Sequence, residues 1–140
     1  MASHGSAPGI LACAEFEAGF PDEEELAPGD VEIPLGRPIA EHLRARLEVE
    51  RLAVSEVHRH SSYGWAFEVR FGSVTVWCML QGYGVWLLYT EVTGRWIDRL
   101  LRRAPDEKHQ VVVDVLRRVL SEPPFRDAKW RTAAQFKGSR

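Results

Sequence analysis

Two periods of apolar residues run along this chain, and the change from one to the other divides it into elements. Trp65, Phe67, Val69 and Phe71 alternate with Ala66, Glu68 and Arg70, the period of two that marks a strand. Gly72-Ser73 suits a two-residue type II′ turn. That turn pairs Phe71 with Val74, Val69 with Val76, Phe67 with Cys78 and Trp65 with Leu80. Every pair is apolar, so turn chemistry and face pattern agree independently. A second loop follows, either two residues at Gly82-Tyr83 or four at Gln81–Gly84, and both lengths give one parity. Leu80 then faces Val85, Cys78 faces Leu87, and Val76 faces Tyr89. This register gathers Trp77, Met79, Trp86 and Leu88 on the opposite face, among Glu68, Arg70, Thr75 and Thr90. A half-exposed antiparallel sheet is normally polar there, so that face calls for a cover: a helix, the N-terminal arm or another protein.

Elsewhere the period is helical. After Gly36, Pro38 suits a first helical turn, where its missing N–H costs nothing, and Ile39, Leu43 and Leu47 fall on one face. This helix is expected to end near Arg51, with a strand from Leu52 to Arg59 and a polar turn at 60–64. Thr93 is a suitable N-cap for a helix from Gly94 to Arg103 with a Trp96, Ile97, Leu100 and Leu101 stripe. Ala104-Pro105 interrupts it, and Asp106 caps a further helix that buries Val112, Val115, Leu116, Val119 and Leu120. Pro123-Pro124 stops that helix, and a short strand over Phe125 to Arg131 and a turn over Thr132 to Phe136 follow. The expected fold is α+β: an antiparallel meander sheet of four to five strands packed against two or three helices. Residues 1–36 form an arm, partly flexible, in which Val31, Ile33 and Leu35 alternate toward a groove or sheet edge. Residues 37–140 form a single α+β domain.

Charge sharpens this division. The chain has 140 residues and a formal net charge of −2, but its first 36 residues hold eight acids and no Lys or Arg. The remaining residues carry all 18 bases, mostly Arg, against 12 acids. An acidic leader therefore precedes a basic domain, and long-range attraction between them is screened by salt. With 45% hydrophobic residues the chain can fill one core, which excludes wholesale disorder. No apolar run approaches the ~18 residues of a membrane span, and the start lacks the basic and apolar regions of a secretory signal. Two cysteines, Cys13 and Cys78, cannot build a disulfide framework. These features together predict a cytoplasmic protein without membrane attachment.

Candidate chemistry is sparse. His58 and His60 point the same way on a strand, but a zinc site needs further ligands that the sequence does not place. Cys78 sits among apolar neighbours, where a thiol acts as a small hydrophobe. No GxSxG, HExxH, GxGxxG or Walker pattern is present. We therefore expect no catalytic, metal or cofactor-binding residues. Arg95, Arg99 and Arg102 share one helical face, a stripe able to grip phosphate or carboxylate. With exposed tryptophans, this Arg-rich 95–103 helix offers a nucleic-acid-binding alternative. A second alternative is an enzyme whose site follows no familiar motif.

From Gly64 onward the chain resembles a class of small bacterial α+β proteins. Gly64-Trp65-Ala66-Phe67-Glu68-Val69 stands where these have an aromatic hairpin leading into a meander, an Arg-rich helix and a leucine/valine helix. Phe125-Arg126-Asp127-Ala128-Lys129-Trp130 resembles their short end. Some are immunity proteins that neutralise a toxin, and others are uncharacterised; the likeness transfers no functional residue. It implies a non-catalytic inhibitor whose partner is another protein. The partner-binding expectation falls on Trp77, Met79, Trp86 and Leu88, with Arg95, Arg99 and Arg102. Homodimerisation through the Trp77/Trp86 face is the competing use of the same surface.

Overall fold

The computed structural model describes residues 10–19, 36–60, 64–72, 74–82, 85–93 and 103–138. Among them the chain forms seven strands, one sheet and three helices. The elements are β1 (Cys13–Ala18), α1 (Arg37–Val49), β2 (Ala53–Val54), β3 (His58–His60), β4 (Gly64–Phe71), β5 (Val74–Gly82), β6 (Trp86–Thr93), α2 (Arg103–Leu120), β7 (Phe125–Arg131) and α3 (Ala133–Gly138). The α+β class is as expected, but the sheet exceeds four to five strands. Its order is β2-β4-β5-β6-β1-β7, with β3 also on β4, and every pairing is antiparallel.

Much of the enlargement comes from β1. It lies within the segment read from sequence as an arm, yet it is inserted between β6 and β7, with Ala14 opposite both Leu88 and Trp130. The folded unit thus reaches back to residue 10, where Ile10 is buried, rather than beginning at residue 37. The expected alternation of Val31, Ile33 and Leu35, and the expected helix 94–103 apart from Arg103, lie outside the described residues.

The β4–β5 hairpin has the predicted register throughout, from Trp65 opposite Leu80 to Phe71 opposite Val74. The β5–β6 register does not. Gly82 pairs with Trp86, so three residues separate the paired positions instead of two or four. An odd loop moves every following side chain to the other face. Leu80 consequently meets Leu88, Cys78 meets Thr90, and Val76 meets Val92. Trp86 and Leu88 turn toward the helices, while Leu87, Tyr89 and Glu91 turn away.

Trp86 fits inside because two glycines make room for it. A Cβ on Gly36 or on Gly82 would stand 2.7 Å from the indole Cζ3. Gly36 also has φ of +112°, a left-handed conformation that glycine adopts without strain, just before α1. One residue therefore starts the helix and accommodates the ring. Pro38 occupies the first turn as predicted, and Ile39, Leu43 and Leu47 are buried.

The predicted strand 52–59 is split. β2 and β3 pair with β4 in registers that differ by one residue, and Ser55 sits in the interruption. The Ser55 N–H donates to the Glu68 carbonyl at 2.8 Å, and the Glu68 N–H donates to Ser55 Oγ at 2.9 Å. The hydroxyl thus stands in for a ladder acceptor. A bulge of this sort lets the edge strand shift without leaving buried amides unpaired.

Both α1 and α2 pack on the same sheet face. Val112, Val115, Leu116, Val119 and Leu120 join Ile39, Leu43 and Leu47 over Phe67, Val69, Val76, Leu80 and Leu88. Each fully buried side chain of this size contributes about 1.5–3 kcal/mol. Asp106 does not start the helix as expected; α2 begins at Arg103 and holds Pro105 in its first turn, where no helical N–H is lost, while the helix expected before it lies outside the described residues. The helix ends are tied by Arg46–Glu122 at 2.8 Å and Arg118–Glu50 at 3.1 Å. These pairs are partly exposed and contribute about 0–1 kcal/mol each.

One polar contact lies within this apolar layer. Thr90 and His109 are both fully buried, with Oγ1 and Nε2 at 2.8 Å. Thr90 Oγ1 donates its proton to the Ala12 carbonyl at 2.8 Å, so it can only accept from the imidazole. His109 is therefore the neutral tautomer protonated at Nε2, and its buried Nδ1 has no hydrogen-bond partner among the described residues. Burial lowers its pKa from 6.5 to about 4. The unfolded chain then binds the extra proton between those values, and stability falls as pH drops from about 6.5 toward about 4. By urea unfolding at near-neutral and mildly acidic pH, the wild type should lose about 2–3 kcal/mol more than His109→Gln. Equal losses in the two proteins would remove His109 as the cause.

Candidate binding face

The sheet face turned away from α1 and α2 is built by alternation from β3 to β7. Trp77 and Met79 project there from β5, and Leu87 and Tyr89 from β6; all four are half-buried. Trp77, Met79 and Leu87 belong to neither of the two apolar clusters of the core, whereas Tyr89 packs on a small cluster of Ile10, Ala12, Cys13 and Val113. Trp77, Met79 and Leu87 thus stand apart from the helix layer, and Tyr89 alone of the four joins a cluster that includes Val113 of α2.

Reading across the strands gives the composition of this face. Glu68, Trp77 and Glu91 form one row. Ala66, Met79, Tyr89, Cys13 and Arg131 form the next. Leu87, Glu15 and Lys129 form a third. The Trp77 ring has the His60 imidazole edge-on at 5.1 Å and the Tyr89 ring at 6.2 Å. The Tyr89 hydroxyl donates to Glu91 Oε1 at 2.9 Å, and burial together with that bond raises its pKa. His58 Nε2 stands 3.4 Å from Glu68 Oε2.

The charges divide into two groups. On β1, Glu15 and Glu17 are engaged by Arg131 at 3.4 Å and Arg126 at 3.1 Å. Those two strands slip by one position between Glu15 and Glu17, where Asp127 has φ of +57°. A surface cleft of about 350 Å³ opens at this irregularity, lined by Glu15, Glu17, Val85, Asp127 and Lys129 among others. The acids of the central rows are differently placed. Among the described residues, neither Glu68 nor Glu91 has a Lys or Arg partner.

Of the residues singled out from sequence, Trp77 and Met79 lie together on this face. Trp86 and Leu88 do not, because the three-residue connection places them on the core side; Leu88 is fully buried. The indoles of Trp77 and Trp86 therefore lie on opposite faces of the sheet. Arg95, Arg99 and Arg102 lie outside the described residues. Leu87 and Tyr89 were missed, and they follow from the same arithmetic once the loop is counted as odd. His58 and His60 do share a face and are exposed. Among the described residues no three His, Cys, Asp or Glu side chains are grouped to hold a metal ion. No described helix is long and apolar enough to cross a membrane.

Cys78 is fully buried on the core side, and burial, with the Glu68 charge adding, pushes its thiol pKa up. It offers no thiolate for nucleophilic chemistry. Comparison with protein-family models and with curated proteins found no match. The thiol geometry is directly measurable. Cys78 and the 1%-exposed Cys13 should both resist an aromatic disulfide reagent in the native protein and react in concentrated guanidinium. A thiol that reacts rapidly without denaturant would contradict this packing.

Proposed function

We propose that this protein is a non-catalytic protein-binding module, an inhibitor of immunity type, and that its partner docks on the sheet face carrying Trp77, Met79, Leu87 and Tyr89. The observation that carries this reading is a half-buried aromatic and apolar centre on the sheet face opposite α1 and α2, surrounded by acidic and basic side chains. Interface cores are enriched in Trp, Tyr and Met, with charge at the rim, and a few aromatic anchors dominate the binding energy. The resemblance to toxin-neutralising proteins supplies the partner class. Charged groups around the centre favour fast, selective encounter more than raw affinity.

Pull-down from source cells, with the neighbouring genes identified, tests the proposal. A toxin-like neighbour should be retained by the wild type and weakened at least about tenfold by Trp77→Ser, which removes an anchor worth about 2 kcal/mol or more. Trp77→Ser should keep the wild-type melting temperature within a few degrees. Trp86→Ala should instead lose about 3 kcal/mol of stability, because its ring fills the notch between Gly36 and Gly82. A toxin-like neighbour that does not bind would end the immunity reading. Sedimentation of the protein alone separates self-association from this reading, since a dimer dissolved by Trp77→Ser would make a second copy the occupant.

A further inference from the structure

Two aromatic faces among the described residues carry a cation. Arg37 lies over the Trp65 ring at 5.5 Å, and Lys108 over the Phe71 ring at 5.5 Å. Most carboxylates near arginines are similarly engaged, as in Arg37–Glu41, Arg44–Glu48 and Arg46–Glu122. Trp77 departs from both patterns. Its direct cross-strand neighbours are Glu68 on one side and Glu91 on the other. Among the described residues no Lys or Arg stands over its ring or pairs with either carboxylate. Arg70, two residues along β4 on the same face, is opposite Thr75 and makes no ion pair among the described residues.

We propose that Trp77, between Glu68 and Glu91, is a socket for an arginine or lysine side chain of the protein partner, which therefore presents a basic surface to this face. The indole supplies a cation–π surface, strongest for Trp among the aromatic rings. The two carboxylates, placed on opposite sides of it, attract the same cation and accept its N–H groups. The socket is preorganised. Glu68 is held by the Ser55 hydroxyl at 3.0 Å, Glu91 by the Tyr89 hydroxyl at 2.9 Å, and the indole packs against the rings of His60 and Tyr89, inclined at 69° and 74°. Little side-chain freedom remains to be lost on binding. This inference rests on the protein-binding reading and specifies the chemistry of its partner.

The test uses hexa-arginine peptide as probe and hexa-glutamate as control, followed on the indole N–H resonance of Trp77, which is assigned by its loss in Trp77→Phe. Hexa-arginine should move this resonance saturably, less so at high salt, and hexa-glutamate should leave it in place. Glu68→Gln/Glu91→Gln keeps both hydrogen-bond acceptors but removes both charges, and should weaken binding about five- to tenfold. Glu91→Gln alone serves if the double variant folds poorly, with about half that effect on a logarithmic scale. An unmoved Trp77 resonance, an equal response to hexa-glutamate, or undiminished affinity in the charge-free variants would overturn the socket. The two readings fail separately. A cellular partner lost by Trp77→Ser but held normally by Glu68→Gln/Glu91→Gln keeps the docking face and refutes its cation preference, whereas a partner held normally by Trp77→Ser refutes the face itself.

Discussion

Side chains alternate across a strand, so the number of residues in a hairpin connection decides which half of the next strand is buried. In this protein the decisive connection is the one between β5 and β6. Gly82 opposite Trp86 leaves three residues between them, and this odd number sends Leu88, Thr90 and Val92 to the helices. Leu87, Tyr89 and Glu91 go to the other side with Trp77 and Met79. The core and the candidate site are therefore two consequences of one register. A slip of one residue would bury Glu91 and expose Leu88, so the arrangement is strongly specified wherever α2 packs.

That register also explains several isolated features. Trp86 is large and turned inward, and it is accommodated by glycines from two distant places, Gly36 before α1 and Gly82 at the end of β5. Thr90 is the polar residue that the register places on the buried face of β6, and its hydroxyl is used twice, toward Ala12 and toward His109. Through it α2, β6 and the chain entering β1 share one polar contact in an otherwise apolar layer. A buried polar pair with one bare nitrogen costs stability when the solvent can protonate it.

The face left by the helices combines apolar anchors with ionised groups that have two different histories. The acids of β1 are neutralised by the arginines of β7 and belong to the structure. Glu68 and Glu91 are fixed by hydroxyl groups instead, with the His58 imidazole also 3.4 Å from Glu68, and neither carboxylate has a Lys or Arg partner among the described residues. On the proposed reading, a positioned carboxylate with no Lys or Arg partner among the described residues, next to a half-buried indole, discriminates between partners by sign at little ordering cost. The functional proposal depends on that difference and not on the total charge of the chain.

The sequence by itself determined the local elements whose signals are local. The Gly72-Ser73 turn and the strict alternation around it specify the β4–β5 register, and Gly36, Pro38 and the 39/43/47 stripe specify α1. The same holds for Phe125–Arg131, bounded by Pro124. Three features were decided only by tertiary structure. The connection from Gly82 through Gly84 is compatible with even or odd lengths, and packing against α2 selects among them. Cys13–Ala18 has too short a pattern to distinguish a strand from a tail; it becomes one because β6 and β7 both offer it a ladder. His109 reads as any helical histidine until Thr90 is brought opposite it. In each case the missing information is a contact between residues far apart in the chain, and no local pattern encodes such a contact.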